Sequence, residues 1–196
     1  MDYIIATHNM KKRDELQRIL SPLGIRVLLA EEAGIVLSDV EETGTTFAEN
    51  GILKATELSA ISGLPCLADD SGLCVDALGG RPGVYSARYA PNRDFDVAMD
   101  MLIKELENSG SNDWSAHFSC VLALKIPEQD IRLFEGRVDG KIIPTKKGAK
   151  GFGFDPIFVP NGYQQTFAEM SKEQKANLSH RGKALQQFIK EVFQAE

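Results

Sequence analysis

Asp69-Asp70-Ser71-Gly72 sets two carboxylates side by side, and Glu41-Glu42 adds a second acidic pair upstream. Magnesium takes hard oxygen ligands and keeps several waters, so one or two carboxylates plus substrate phosphates are enough to hold it. Neighbouring carboxylates also repel, which raises the pKa of one and leaves it usable as a base. The plainer alternative is a polar turn with Asp69 as its cap and Asp70 exposed, since Asp, Ser and Gly are ordinary turn residues.

Other stretches carry complementary chemistry. Thr7-His8-Asn9-Met10-Lys11-Lys12 follows an apolar run and opens a helical pattern, where free backbone amides, the helix dipole and two lysines favour a phosphate. Its plain reading is a capped surface helix. In Gly151-Phe152-Gly153-Phe154-Asp155-Pro156, glycines let the backbone approach a ligand, an aromatic face can stack on a base, and Asp155 can accept from a ring N–H. The same aromatics could instead fold into the core. Lys175 and Ser179-His180-Arg181 stand at a helix start, where Arg181 could donate to a keto oxygen or simply lie on the surface.

The elements that must position these residues follow from periodicity. Tyr3–Ala6 reads as a strand, with Leu16, Ile19 and Leu20 at helical spacing after it, and Arg26–Leu29 as a second strand. Thr46-Phe47-Ala48-Glu49 matches a capping box and starts a helix from Phe47 to about Ser62, ended by Gly63. Pro65–Ala68 is a short strand delivering Asp69–Gly72 at its end, and Cys74–Leu78 is a separate one. A helix is expected over Asp96–Glu107, with strands at Ala116–Leu124, Ile131–Val138 and Ile157–Val159. Ser171 reads as a cap, and the last helix buries Leu185, Phe188, Ile189 and Val192. The result is an α/β chain with a mixed sheet, expected as one domain over residues 1–196 with no repeat or linker.

Composition narrows the function classes. Apolar residues at 43% and charged residues at 26% are globular values. No apolar run is long enough to span a membrane and no signal peptide stands at the start, so a cytoplasmic protein without membrane partners is expected. The net charge of -6 argues against nucleic acid as a partner. The three cysteines, Cys66, Cys74 and Cys120, form no C-x-x-C pair and read as small apolar residues. Gly136-Arg137-Val138-Asp139-Gly140-Lys141 is a residue short of a phosphate-binding loop and reads as a hairpin turn.

Taken in order, Thr7-x-Asn9-x-x-Lys12, Glu41-Glu42-Thr43-Gly44, Ala68-Asp69-Asp70-Ser71-Gly72-Leu73, Gly80-x-Pro82-Gly83-x-Tyr85-Ser86-Ala87-Arg88, Gly151–Pro156 and Ser179-His180-Arg181 resemble the inosine/xanthosine triphosphate pyrophosphatase family. The resemblance implies an elongated mixed sheet flanked by helices, two lobes with an active-site cleft between them, and a homodimer. It implies hydrolysis of deaminated purine nucleoside triphosphates (ITP, dITP, XTP) to the monophosphate and pyrophosphate, with one or more Mg2+ ions. Carried over position by position, Thr7, His8, Asn9, Met10, Lys11 and Lys12 hold the triphosphate, and Lys54 and Lys175 also contact phosphates. Glu41 and Asp70 are the metal ligands, Asp70 is also the base, and Ser71 touches the nucleotide. Phe152, Gly153, Phe154 and Asp155 with His180 and Arg181 form the base pocket. His8 departs from the family, whose members most often carry Gly there. The alternatives are a related pyrophosphatase for modified pyrimidine or methylated nucleotides, and a non-catalytic nucleotide- or RNA-binding module.

Overall fold

In a computed structural model of the chain, whose described residues are 2–36 and 42–194, the opening apolar run forms strand β1 (Asp2–Ile5). Helix α1 (Met10–Leu20) follows, then strand β2 (Arg26–Leu29), helix α2 (Phe47–Ser62) and strand β3 (Cys66–Val75). Helix α3 (Phe95–Asn108) leads to strands β4 (Ser115–Lys125), β5 (Arg132–Ile142) and β6 (Phe158–Pro160), and helices α4 (Lys172–Leu178) and α5 (His180–Phe193) end the chain. The strands form one six-stranded sheet in the order β2-β1-β3-β4-β5-β6. It is mixed, because β1 pairs in parallel with β2 and β3 while β5 and β6 run antiparallel.

The chain divides into two compact units, neither of them one continuous stretch. The first comprises the chain up to Asp70, Cys120–Gly136 and the residues from Arg181 onward; the second comprises Ser71–Ser119 and Arg137–His180. In the first unit both faces of β1 are covered, as parallel strands require. Tyr3 and Ile5 pack with Leu16 and Leu20 of α1 and Leu185 and Phe188 of α5. Ile4 and Ala6 face the other way, onto Ala55 and Leu58 of α2. The second unit has its own core, in which Leu102 and Leu106 of α3 meet Phe118, Val138, Phe154 and Phe158.

Helix α2 begins and ends as its sequence signals dictate. Thr46 accepts the Glu49 amide, Glu49 reaches back to the Thr46 amide, and Gly63 closes the last turn. Three segments differ from the sequence expectation. Asp69–Gly72 is not a turn between two strands but the middle of a continuous β3, because long-range ion pairs stabilise its carboxylates inside the sheet. The Gly136–Lys141 stretch is not a hairpin turn; it lies within β5, where burial alternates residue by residue. The last helix is two helices, broken at Ser179, whose backbone is extended.

Candidate active site

Successive residues of a strand point to opposite sides, so Asp69 and Asp70 face different partners. Asp69 is 1% exposed and its carboxylate is fully engaged. Its Oδ1 accepts from the Lys12 ammonium at 2.6 Å and its Oδ2 from Arg181 Nε at 2.7 Å. Arg181 Nη2 adds a longer bond at 3.3 Å, and the Cys120 thiol donates at 3.3 Å. Arg181 in turn donates through Nη1 to Glu15 at 2.7 Å. Burial acts to raise the Asp69 pKa, but the Arg181 and Lys12 charges outweigh it and hold the carboxyl well below its usual range. Two cations and two carboxylates thus form a charge-balanced cluster, buried at Asp69 and Arg181 and half-buried at Lys12 and Glu15.

Asp70 is placed differently. Its Oδ1 accepts from Lys54 Nζ at 2.7 Å, while its Oδ2 is buried without a hydrogen-bond partner among the described residues. Here burial wins over the Lys54 charge, and the carboxyl is pushed above its ordinary value. Lys54, midway along α2, also donates to Glu42 Oε1 at 3.1 Å and to the Asp69 carbonyl at 3.0 Å. Burial works against its charge, but Asp70 and Glu42 leave its pKa raised. An ammonium anchored by two carboxylates, beside a carboxylate oxygen left unpaired, suits a cation and phosphate oxygens arriving together.

The Thr7–Lys12 turn caps α1 with its own side chains. Asn9 Oδ1 accepts the Lys11 and Lys12 amides, and Thr7 Oγ1 accepts the Asn9 amide. The free amides expected for a phosphate are therefore partly occupied, and the lysine charges remain the turn's main attraction. His8 and Met10 are exposed, with His8 Nδ1 3.9 Å from Glu31.

In the second unit Asp155 gathers another group. Its Oδ2 accepts from the Phe152 amide at 3.0 Å and from Lys175 Nζ at 2.6 Å. A β-carbon at residue 151 would lie 2.1 Å from that oxygen, and φ there is +71°, so Gly151 is what lets the loop close on Asp155. The Lys175 ammonium sits 4.8 Å from the Phe152 ring centre, a cation–π contact. Phe152 is partly buried, whereas Phe154 turns into the core against Phe95. His180 stacks on Phe118 at 4.7 Å.

The structure brings together Lys12, Lys54, Asp70 and Arg181 in the first unit, and Phe152, Asp155 and Lys175 in the second. Lys175, expected on phosphate, lies on Asp155 and the Phe152 ring. Arg181, expected beside Asp155, has its guanidinium on Asp69 and Glu15. Glu41 lies outside the described residues. Sequence reasoning passed over Glu15; it named Glu42 and Asp69, but not their pairing with Lys54, Lys12 and Arg181. Glu15 left a signal, because a carboxylate beside Leu16 on the buried side of α1 asks for a buried partner.

A model of the Ham1 family matches residues 3–191. The dITP/XTP pyrophosphatase of Streptomyces avermitilis is 44% identical over 188 residues, 95% of this chain and 94% of the relative. That of Bacillus licheniformis is 45% identical, with 95% of each chain covered. Among solved structures, a HAM1 protein from Coxiella burnetii superposes with a TM-score of 0.90 at 38% identity, over the whole of both chains. The Ham1 protein of Staphylococcus aureus gives 0.87 at 35% identity, again over both whole chains.

Proposed function

This chain belongs to the Ham1 family, and we propose that it hydrolyses deaminated purine nucleoside triphosphates, dITP, XTP and ITP, to the monophosphate and pyrophosphate. The observation that carries the reading is Asp70: a buried carboxylate with one oxygen on Lys54 and the other unpartnered among the described residues, in a chain 44% identical to a dITP/XTP pyrophosphatase.

The donor set fits a magnesium ion. Among the described residues no three His, Cys, Asp or Glu side chains converge, and magnesium does not need them, since one or two carboxylates with water and phosphate oxygens suffice. Asp70 would hold it, with Glu41 as the second ligand. When bound, the ion supplies Lewis acidity that offsets charge on the phosphoryl oxygens. The chain's residues do the rest. Asp70 takes the proton from a water attacking the α-phosphorus, the α–β bridging bond breaks, and its electron pair leaves with pyrophosphate. Lys12 and Lys54 offset the developing negative charge, and Thr7, His8, Asn9, Met10 and Lys11 line the triphosphate side, with Ser71 touching the nucleotide. On the base side Phe152 offers a stacking face and Asp155 accepts from the purine N–H, with Gly153, Phe154 and His180 shaping the pocket. Lys175, which lies on Asp155, is the donor toward the keto oxygen, while Arg181, engaged by Asp69 and Glu15, anchors the strand that carries Asp70.

The reading extends to one catalytic domain acting as a cytoplasmic homodimer. No helix among the described residues is long and apolar enough to cross a membrane, and sedimentation of the homodimer would show a mass twice that of the 21.5 kDa chain. The reaction is tested with oxygen-18 water and dITP. The label is expected in the monophosphate alone; label in pyrophosphate, or orthophosphate as a product, overturns attack at the α-phosphorus.

A further inference from the structure

Asn50, in the first turn of α2, is wholly buried. Its Oδ1 accepts the Gly44 amide at 2.8 Å, and only the oxygen end can do so, which fixes the orientation of the side chain. The Nδ2 end is left buried with no partner among the described residues. An orphaned buried donor costs more than one neutral hydrogen bond returns, so stability alone does not favour an amide here. The contact is also unusually close: a β-carbon on residue 44 would lie 2.5 Å from Asn50 Oδ1 and 2.7 Å from Glu49 Cβ. Alongside it, Glu49 Oε2 accepts from the Thr45 amide at 2.7 Å and the Thr46 amide at 3.2 Å. Residues 44–46 are thereby fastened to α2. One turn further on the same face, Lys54 grips Glu42 at 3.1 Å and Asp70 at 2.7 Å.

We propose that Asn50 is a positioning residue: its side-chain oxygen seats the acidic segment that begins at Glu42 on α2, so that this segment and Asp70 can serve one divalent cation. The inference rests on the metal-dependent reading given above. Residues that orient metal ligands without touching the ion typically change metal affinity by roughly 10–100-fold when removed. Asn50→Ala is therefore expected to raise the magnesium concentration for half-maximal dITP hydrolysis by about tenfold or more, with kcat restored by excess magnesium. A role in stability alone would not move that requirement. Gly44→Ala attacks the same contact from the other side and is expected to do the same, which keeps the test open should Asn50→Ala fail to fold. The double variant should be no worse than the worse single one, as residues sharing one contact are not additive. Calorimetric titration of Asn50→Ala with Mn2+ should show the same weakening without turnover, and the amides of residues 44–46 should exchange faster.

An unchanged magnesium requirement in both single variants, with exchange at 44–46 accelerated, would overturn the proposal, because the contact would exist and position nothing. Losses that multiply in the double variant would overturn it too. A wild-type enzyme indifferent to magnesium would instead overturn the underlying metal reading. The two failures differ in whether the wild type needs the ion.

Discussion

Two adjacent aspartates on one strand meet different partners. Asp69 accepts from Lys12, Arg181 and Cys120, so it has no oxygen to offer a reacting group. Asp70 keeps one oxygen unpartnered among the described residues. Asp70→Asn should leave the fold intact and lower kcat by about 10²–10⁴, the usual size of a general-base contribution, measured by pyrophosphate release. Asp69→Asn should act on stability instead. Removing one partner from a buried ion pair strands the others, and a loss of roughly 3–5 kcal/mol is expected in urea unfolding. A stable Asp69→Asn with normal unfolding but no activity would reverse these assignments. At the base side, Lys175→Met removes a donor that an adenine amino group would oppose and a keto oxygen would accept, so it should reduce hydrolysis of ITP more than that of ATP. Equal losses for both would return Lys175 to the phosphates.

Elements were legible where local chemistry and tertiary structure agree. Helix α2 runs from Phe47 to Ser62 as its capping box and Gly63 indicate, because every signal that defines it lies within the helix or next to it. Thr46→Ala should accordingly cost about 1 kcal/mol, the usual value of a lost N-cap, read as a shift in the urea midpoint. Strand β3 was not legible as one strand. Asp-Asp-Ser-Gly is turn composition, and what overrides it is a partner 112 residues away, Arg181, together with Lys12 and Lys54. The break at Ser179 carries neither Gly nor Pro, and its one local sign is Ser179 itself, a residue type that commonly caps a helix start, as α5 starts at His180. Local pattern reports local preference; a buried charge in a sheet depends on where the rest of the chain goes.

Across the whole molecule, the ordered motifs announced the family and most of the candidate side chains, while the assignment of each to a partner needed the fold. Lys12, Asp70 and the Glu41-Glu42 pair were singled out from the sequence, but Glu15 and Asn50 were not, since one carboxylate or amide on a helix gives no sign of what it meets. The chain's net charge of -6 sets the problem that the site has to solve, because a triphosphate brings more negative charge to an acidic protein. Lysines anchored on carboxylates and a divalent cation on Asp70 are the solution advanced here. The most direct test is the rate of pyrophosphate release from dITP and from ATP, each with magnesium and with a chelator. The expected result is dIMP and pyrophosphate in equal amounts, a preference for dITP over ATP of at least ~10² in kcat/KM, and loss of activity with the chelator. Equal rates for the two nucleotides, or full activity after magnesium is removed, would contradict it.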